Sequence, residues 1–161
     1  MAALRGALEE AGIAVCHTYR QSGNIVFDAP RAPATALAAR IQAAVRPKLA
    51  RPTTAVVFSA RQLGRVLTDA PPDWGNDNAT FARHLVFVVP PMTARQVLKG
   101  RAFDADIERV SVKRCVIYWS IREDARARST MTRLAGTPAY RHITVRTHAL
   151  VCELYTLAGR P

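Results

Sequence analysis

Apolar positions along this chain switch repeatedly between helical and strand spacing, and the switches predict its elements. Leu4, Ala7, Leu8 and Ala11 fall at helical spacing with Gly12 as a stop, so residues 1–12 open the chain as a helix. Ile13–Arg20 and Asn24–Phe27 read as strands joined across Gln21-Ser22-Gly23. A second helix carries Leu37, Ile41, Ala44 and Val45 on one face, with Pro33 in its first turn and Pro47 at its end. Thr53–Phe58 is β-rich and closes the half as a strand, giving the order α-β-β-α-β.

Ser59 and Gln62 stand three apart as a capping box, predicting a short helix with Leu63, Val66 and Leu67 inward. Residues 69–83 hold Pro71, Pro72, Gly75 and several Asn and Asp, which marks an irregular boundary loop with Trp74 covering a core edge. His84–Val89 begins the second half as an apolar strand, and Thr93 with Gln96 caps another helix around Val97 and Leu98. Val110, Val112, Val116, Tyr118 and Trp119 form a hairpin meeting at Lys113-Arg114. An Arg-rich helix over Ala125–Leu134, a strand over Arg141–Val145 and a last helix from Thr147 to Gly159 complete it. That helix turns Leu150, Val151, Leu154, Leu157 and Ala158 inward, which leaves His148 and Cys152 facing solvent.

These elements define an α+β chain of duplicated ferredoxin-like βαββαβ units, the first lacking its opening strand. The expected divisions are a first half over 1–68, a connecting loop over 69–83 and a second half over 84–161. In this topology the opening strand is central, so its loss leaves a slot. A truncated start, another segment or a second copy of the chain accounts for that slot, and a homodimer is one expectation.

Charge changes the picture more than composition does. The 161 residues are 49% hydrophobic and 22% charged, the profile of a soluble globular protein. Formal net charge is +11, with 20 Arg among 23 basic residues. Residues 1–81 carry 9 basic and 6 acidic groups (+3), residues 82–161 carry 14 and 6 (+8). Such a field attracts nucleic acid or another polyanion. Arginine codon usage in a GC-rich genome produces the same excess, and the sequence alone leaves both readings open. Three cysteines without C-x-x-C spacing argue for reduced thiols in the cytoplasm. The apolar run Leu85–Met92 is too short for a membrane span, and charges interrupt the amino terminus, so neither membrane nor secretion is expected.

The candidate site lies in the Arg-rich stretch from Glu108 to Arg146. Arg122, Arg126, Arg128, Arg133, Arg141 and Arg146 would converge on one surface if their elements share a sheet, and guanidinium forks suit phosphate or carboxylate. Tyr118, Trp119 and Tyr140 lie close enough in sequence to add stacking surfaces. An enzymatic alternative holds a small anion in the cleft between the halves, clamped by Arg128 and Arg146 with Ser129 or His142 as the polar group at work. Ser22 and Asn24 form a polar turn whose simpler reading is hairpin geometry. No Walker loop, dinucleotide fingerprint or nucleophile elbow is present, and no catalytic residue or cofactor is assigned. Cys16-His17 would point to opposite faces of a strand, which is wrong for a nucleophile and its base, His148/Cys152 supply too few ligands for zinc, and Asp104, Asp106 and Glu108 read as a solvated acidic turn rather than a magnesium site.

Thr18-Tyr19-Arg20-Gln21-Ser22-Gly23-Asn24-Ile25-Val26-Phe27, preceded by the helix 1–12, resembles the early part of the bacterial "domain of unknown function 1697" family. Pro138–Arg146 is similar to a segment near the carboxyl end of some members, so the resemblance covers essentially the whole chain. It implies tandem ferredoxin-like units and no established reaction. Members usually begin with a strand and a glycine-containing loop that this sequence lacks. Many carry Arg-Ser-Lys where this chain has Arg128-Ser129-Thr130, and Arg-Asn-Trp-Asn-Thr where it has Arg146-Thr147-His148-Ala149-Leu150. A shared function resting on that loop, lysine and tryptophan would be weakened or changed here.

Overall fold

Strand pairing sorts the chain into two sheets, one of two strands and one of four. The computed structural model describes residues 2–19, 23–29, 32–49, 53–72, 74 and 80–159. Two compact units result, Met1–Gly64 with Cys152–Pro161, and Arg65–Val151. The α+β class expected from the sequence is what the chain adopts.

In the first unit, helix α1 (Ala2–Glu10) leads into strands β1 (Ala14–Tyr19) and β2 (Asn24–Asp28), then helix α2 (Ala34–Val45). Gly12 ends α1 with φ +71°, a backbone region that glycine enters without strain. The Ile13 amide then donates to the Leu8 carbonyl at 2.9 Å and the Gly12 amide to that of Glu9 at 2.9 Å. This termination drops Ile13 beside Leu8, where both join Val15 and Val45 in a core flanked by Leu4, Ile25, Phe27 and Ile41. The predicted strand over Thr53–Phe58 does not form. Its Ala55 amide donates to the Gln42 side chain at 2.7 Å. A strand needs a neighbouring strand, and β-propensity without one yields extended chain. Among the described residues this unit therefore pairs two strands, and the expected duplication is not reproduced.

The second unit follows helix α3 (Ala60–Thr68), which opens on the predicted Ser59–Gln62 capping box. It contains β3 (Phe81–Val88), α4 (Ala94–Leu98), β4 (Glu108–Lys113), β5 (Val116–Arg122), the four-residue α5 (Thr130–Arg133), β6 (Ile143–Thr147) and the start of α6 (His148–Ala158), whose residues from Cys152 onward belong to the first unit. The sheet runs β4-β5-β3-β6, antiparallel throughout, which is the order a βαββαβ connection produces. β3 starts three residues earlier than its apolar run suggests, because Phe81, Ala82 and Arg83 pair with Arg122, Ile121 and Ser120.

Alternation divides the sheet into two buried faces. Val86, Val88, Ile117, Trp119 and Ile121 pack under Ala94 and Val97 of α4, Met131 of α5 and Leu134. Leu85, Phe87, Val116 and Tyr118 point the other way, and the Tyr118 hydroxyl donates to the Val66 carbonyl in the last turn of α3 at 2.6 Å. Trp74 sets its ring edge-on to Tyr118 at 5.3 Å, the covering role expected of it.

The carboxylate of Glu108 holds the first face together. Far from being a solvated turn residue, Glu108 is 3% exposed. It accepts from the Trp119 indole at 2.8 Å, and the Thr130 amide is shared between its two oxygens at 2.9 and 3.1 Å. One side chain thus joins the start of β4, the middle of β5 and the first turn of α5.

Two outcomes follow for equilibrium unfolding in urea. Tyr118→Phe removes the donor to the Val66 carbonyl and lowers stability by about 1–2 kcal/mol. Glu108→Ala orphans two buried donors and costs about 3 kcal/mol or more, while Glu108→Gln retains one acceptor oxygen and loses clearly less. Equal losses for the two Glu108 variants would refute the acceptor role.

Candidate functional site

The Arg-rich stretch is not one helix. Glu123–Arg128 is a 3-10 turn, Ser129 breaks it with extended backbone, and α5 starts afresh at Thr130. Ser129 causes the break because its hydroxyl caps α5, accepting from the Thr132 amide at 3.2 Å. It is 0% exposed, so the residue considered as a polar group at work is a buried cap. Arg141 and His142 also leave their expected strand. Pro138 starts a 3-10 turn through His142, and β6 begins only at Ile143.

The six arginines separate accordingly. Arg126 and Arg128 are exposed on the 3-10 turn, and Arg141 is exposed on the later one. None of these three has an ion pair or hydrogen bond from its side chain to another described residue. Arg133 is exposed and donates to Thr130 Oγ1 at 2.9 Å. Arg122 is engaged by Asp124 at 2.6 Å and by the Asp106 carbonyl at 3.1 Å. Arg146 stands opposite Leu85 in the sheet, so it projects from the face that α5 does not cover. Its guanidinium donates to Thr144 Oγ1 and the Val145 carbonyl, both at 2.8 Å, and burial lowers its pKa. The structure thus gathers Arg126, Arg128 and Arg133 on one short segment and sets Arg146 apart.

The aromatic expectation also changes. Tyr118 and Trp119 do lie on opposite faces, but both are fully buried, and burial pushes the Tyr118 hydroxyl up to about 12. Tyr140 alone of the three is exposed. In the first unit, Asn24 is buried and donates to the Tyr19 carbonyl at 3.3 Å across a loop with Gly23 at φ +73°, a hairpin role. Ser22 lies outside the described residues. His148 is half-buried rather than solvent-facing, with its ring 5.1 Å from that of Trp74. Among the described residues no three His, Cys, Asp or Glu side chains gather as a metal site, and no helix is long and apolar enough to cross a membrane.

Sequence reading passes over two basic residues on the strands. Arg83 of β3 and Arg109 of β4 both pair with Ser120 of β5, which places them in one row. It also passes over His84, which is 4% exposed with no hydrogen-bond partner for Nε2 among the described residues. Burial and the nearby Arg126 charge lower its pKa, against a smaller opposing effect from Glu123. Burial, reinforced by Arg83, lowers that of His148.

Both histidines therefore favour folding in their neutral form. Their contribution is complete above the ordinary imidazole value of 6.5 and is lost as pH falls through the lower folded values. Thermal midpoints should hold from about pH 8 to 7 and decline towards about pH 5.5. His84→Leu should flatten that decline, and a slope unchanged by the substitution would show that His84 does not carry it.

No curated protein matches the sequence. Among solved structures, the conserved bacterial protein SP0830 from Streptococcus pneumoniae aligns with a TM-score of 0.77 over 99% of this chain and 89% of its own, at 21% identity. At that identity the likeness establishes the fold alone. The description "Protein of unknown function (DUF1697)" matches residues 1–118, a span that includes Arg83 and Arg109 and stops short of Arg122. That span is well over half of the sequence, and the chain belongs to the DUF1697 family.

Proposed function

We propose that this protein binds an anionic ligand through its second unit, with nucleic acid the polyanion that fits best. The carrying observation is the exposed, uncompensated charge on residues 126–141. Arg126, Arg128 and Arg141 reach solvent without an acidic partner among the described residues. Of the nearby carboxylates, Asp124 lies on Arg122 and Glu108 is buried on Trp119 and Thr130, which leaves Glu123, exposed on the same turn, as the one nearby acid facing them. Over residues 122–146 six Arg against Glu123 and Asp124 leave 6 − 2 = +4. Exposed arginines held on a capped turn attract a phosphate backbone by charge, without reading sequence. Tyr140, beside Arg141 and 48% exposed, supplies the one aromatic surface here on which a base could stack.

The test is a salt titration of binding to labelled single-stranded and duplex oligonucleotides. The expected result is an affinity that falls steeply with salt, with a log–log slope reduced by about 2–3 when Arg126, Arg128 and Arg133 are all replaced by Ala. Tyr140→Ala should weaken single strands more than duplex. Weak binding with a slope insensitive to the triple substitution would assign the +11 charge to codon usage and remove the proposal.

A further inference from the structure

His84 lies beside the segment that carries the exposed arginines. On β3 it stands opposite Trp119 of β5 and Thr147 of β6, so it projects from the face that α5 covers, as Val86 does. The turn Glu123–Arg128 is tied down at this end of the sheet. At its start the Glu123 amide donates to the Thr80 carbonyl, just ahead of β3, at 3.1 Å. Further on, the Arg126 carbonyl accepts from Thr132 Oγ1 at 2.9 Å and from the Ser129 amide at 3.2 Å. Ala125, between these ties, is 1% exposed. α5 is in turn held by Glu108, which also takes the indole of Trp119, the residue facing His84. Arg126 is thereby kept on the His84 side of the sheet, and its charge acts on the imidazole.

The charges facing the ring come from few elements. The turn supplies Arg126, which disfavours a proton there, and Glu123, which favours one less strongly. β5 presents Trp119, and the Glu108 carboxylate beside it is engaged by the indole and the Thr130 amide. α5 presents Arg133, turned to Thr130 Oγ1 at 2.9 Å. β6 presents the uncharged Thr147, while Arg146 and Arg83 project from the opposite face. Nε2 of His84 has no hydrogen-bond partner among the described residues, so none of them compensates a proton there by contact. Burial and the Arg126 charge together hold the ring neutral. A phosphate bound at Arg126 offsets the second of these and adds an attraction of its own. The protonated ring is then favoured when ligand is bound. By linkage, the ligand is held more tightly when the ring is protonated.

We propose that binding of nucleic acid at Arg126 is accompanied by uptake of a proton on His84, so that the second unit grips its ligand more tightly as pH falls from about 7.5 to about 5.5. This coupling rests on the anion-binding reading above, and separate readouts distinguish failure of the two. Affinity of the full chain for a labelled single-stranded oligonucleotide is measured at constant ionic strength across that range. NMR follows the titration of each histidine ring with and without the oligonucleotide. A gain of about tenfold in affinity is expected, matched by a rise of about one pH unit in the His84 midpoint on binding. His84→Leu holds the affinity near its value at the alkaline end throughout. Arg126→Ala raises the His84 midpoint of the free chain, because the repelling charge is gone, and the oligonucleotide then moves it little. The NMR comparison needs only the wild-type and Arg126→Ala chains, so the test stands even where His84→Leu fails to fold. Binding that is lost with Arg126, Arg128 and Arg133 but is indifferent to pH, with the His84 midpoint left in place, overturns the coupling and leaves the anion site. A pH dependence that survives His84→Leu, or an Arg126→Ala chain with an unmoved His84 midpoint, also overturns it. No binding at either end of the range removes both the site and the coupling.

Discussion

One buried carboxylate decides how the second unit presents its charges. Glu108 opens the edge strand β4, and its side chain turns inward to the Trp119 indole and the Thr130 amide. A carboxylate in such a place is costly unless donors meet it, and these two do so at charge-assisted lengths. Because the Thr130 amide is the acceptor's second partner, α5 must begin at that residue. The preceding chain can then run only as the tight turn Glu123–Arg128, with Ser129 closing it as a cap. Exposure of Arg126 and Arg128 is thus a consequence of where a glutamate is buried. The arginines themselves contribute little to that geometry.

The sheet supplies the second constraint. β3 and β5 are central and pack on both faces, so their side chains are assigned to one layer or the other with no latitude. Arg146 is carried to the face opposite α5 by that alternation alone, whatever its nearness in sequence to Arg141. The same rule brings Arg83 and Arg109 together although 26 positions separate them, because both oppose Ser120. Proximity in this protein follows register more than sequence distance.

That distinction sets what was legible beforehand. Capping boxes at Ser59–Gln62 and Thr93–Gln96, the glycine stop after α1 and the hairpin at Gly23-Asn24 are signals within a few residues, and all stand in the structure. The α+β class followed from their order. Thr53–Phe58 misled because β-propensity reports a surface that suits a sheet, not the presence of a partner strand. Glu108 misled because an acid after Asp104 and Asp106 has the composition of a turn, and nothing local reveals an indole eleven residues on. The arginine row was invisible for the same reason in another form: it exists only once three strands are aligned.

The two sets of arginines then differ in kind. Those on Glu123–Arg128 are long side chains in water, where salt screens them and ordering them costs rotamer entropy. A polymer with many phosphates can overcome both costs by summing weak contacts. Arg83 and Arg109 instead lie against aromatic rings, with guanidinium carbons 5.7 Å from the Trp74 ring centre and 4.7 Å from that of Phe81. Solvated arginines and ring-contacting arginines are therefore different environments for the same residue type. Net charge alone, which adds every arginine equally, cannot distinguish them, and the arrangement of side chains on each sheet face does.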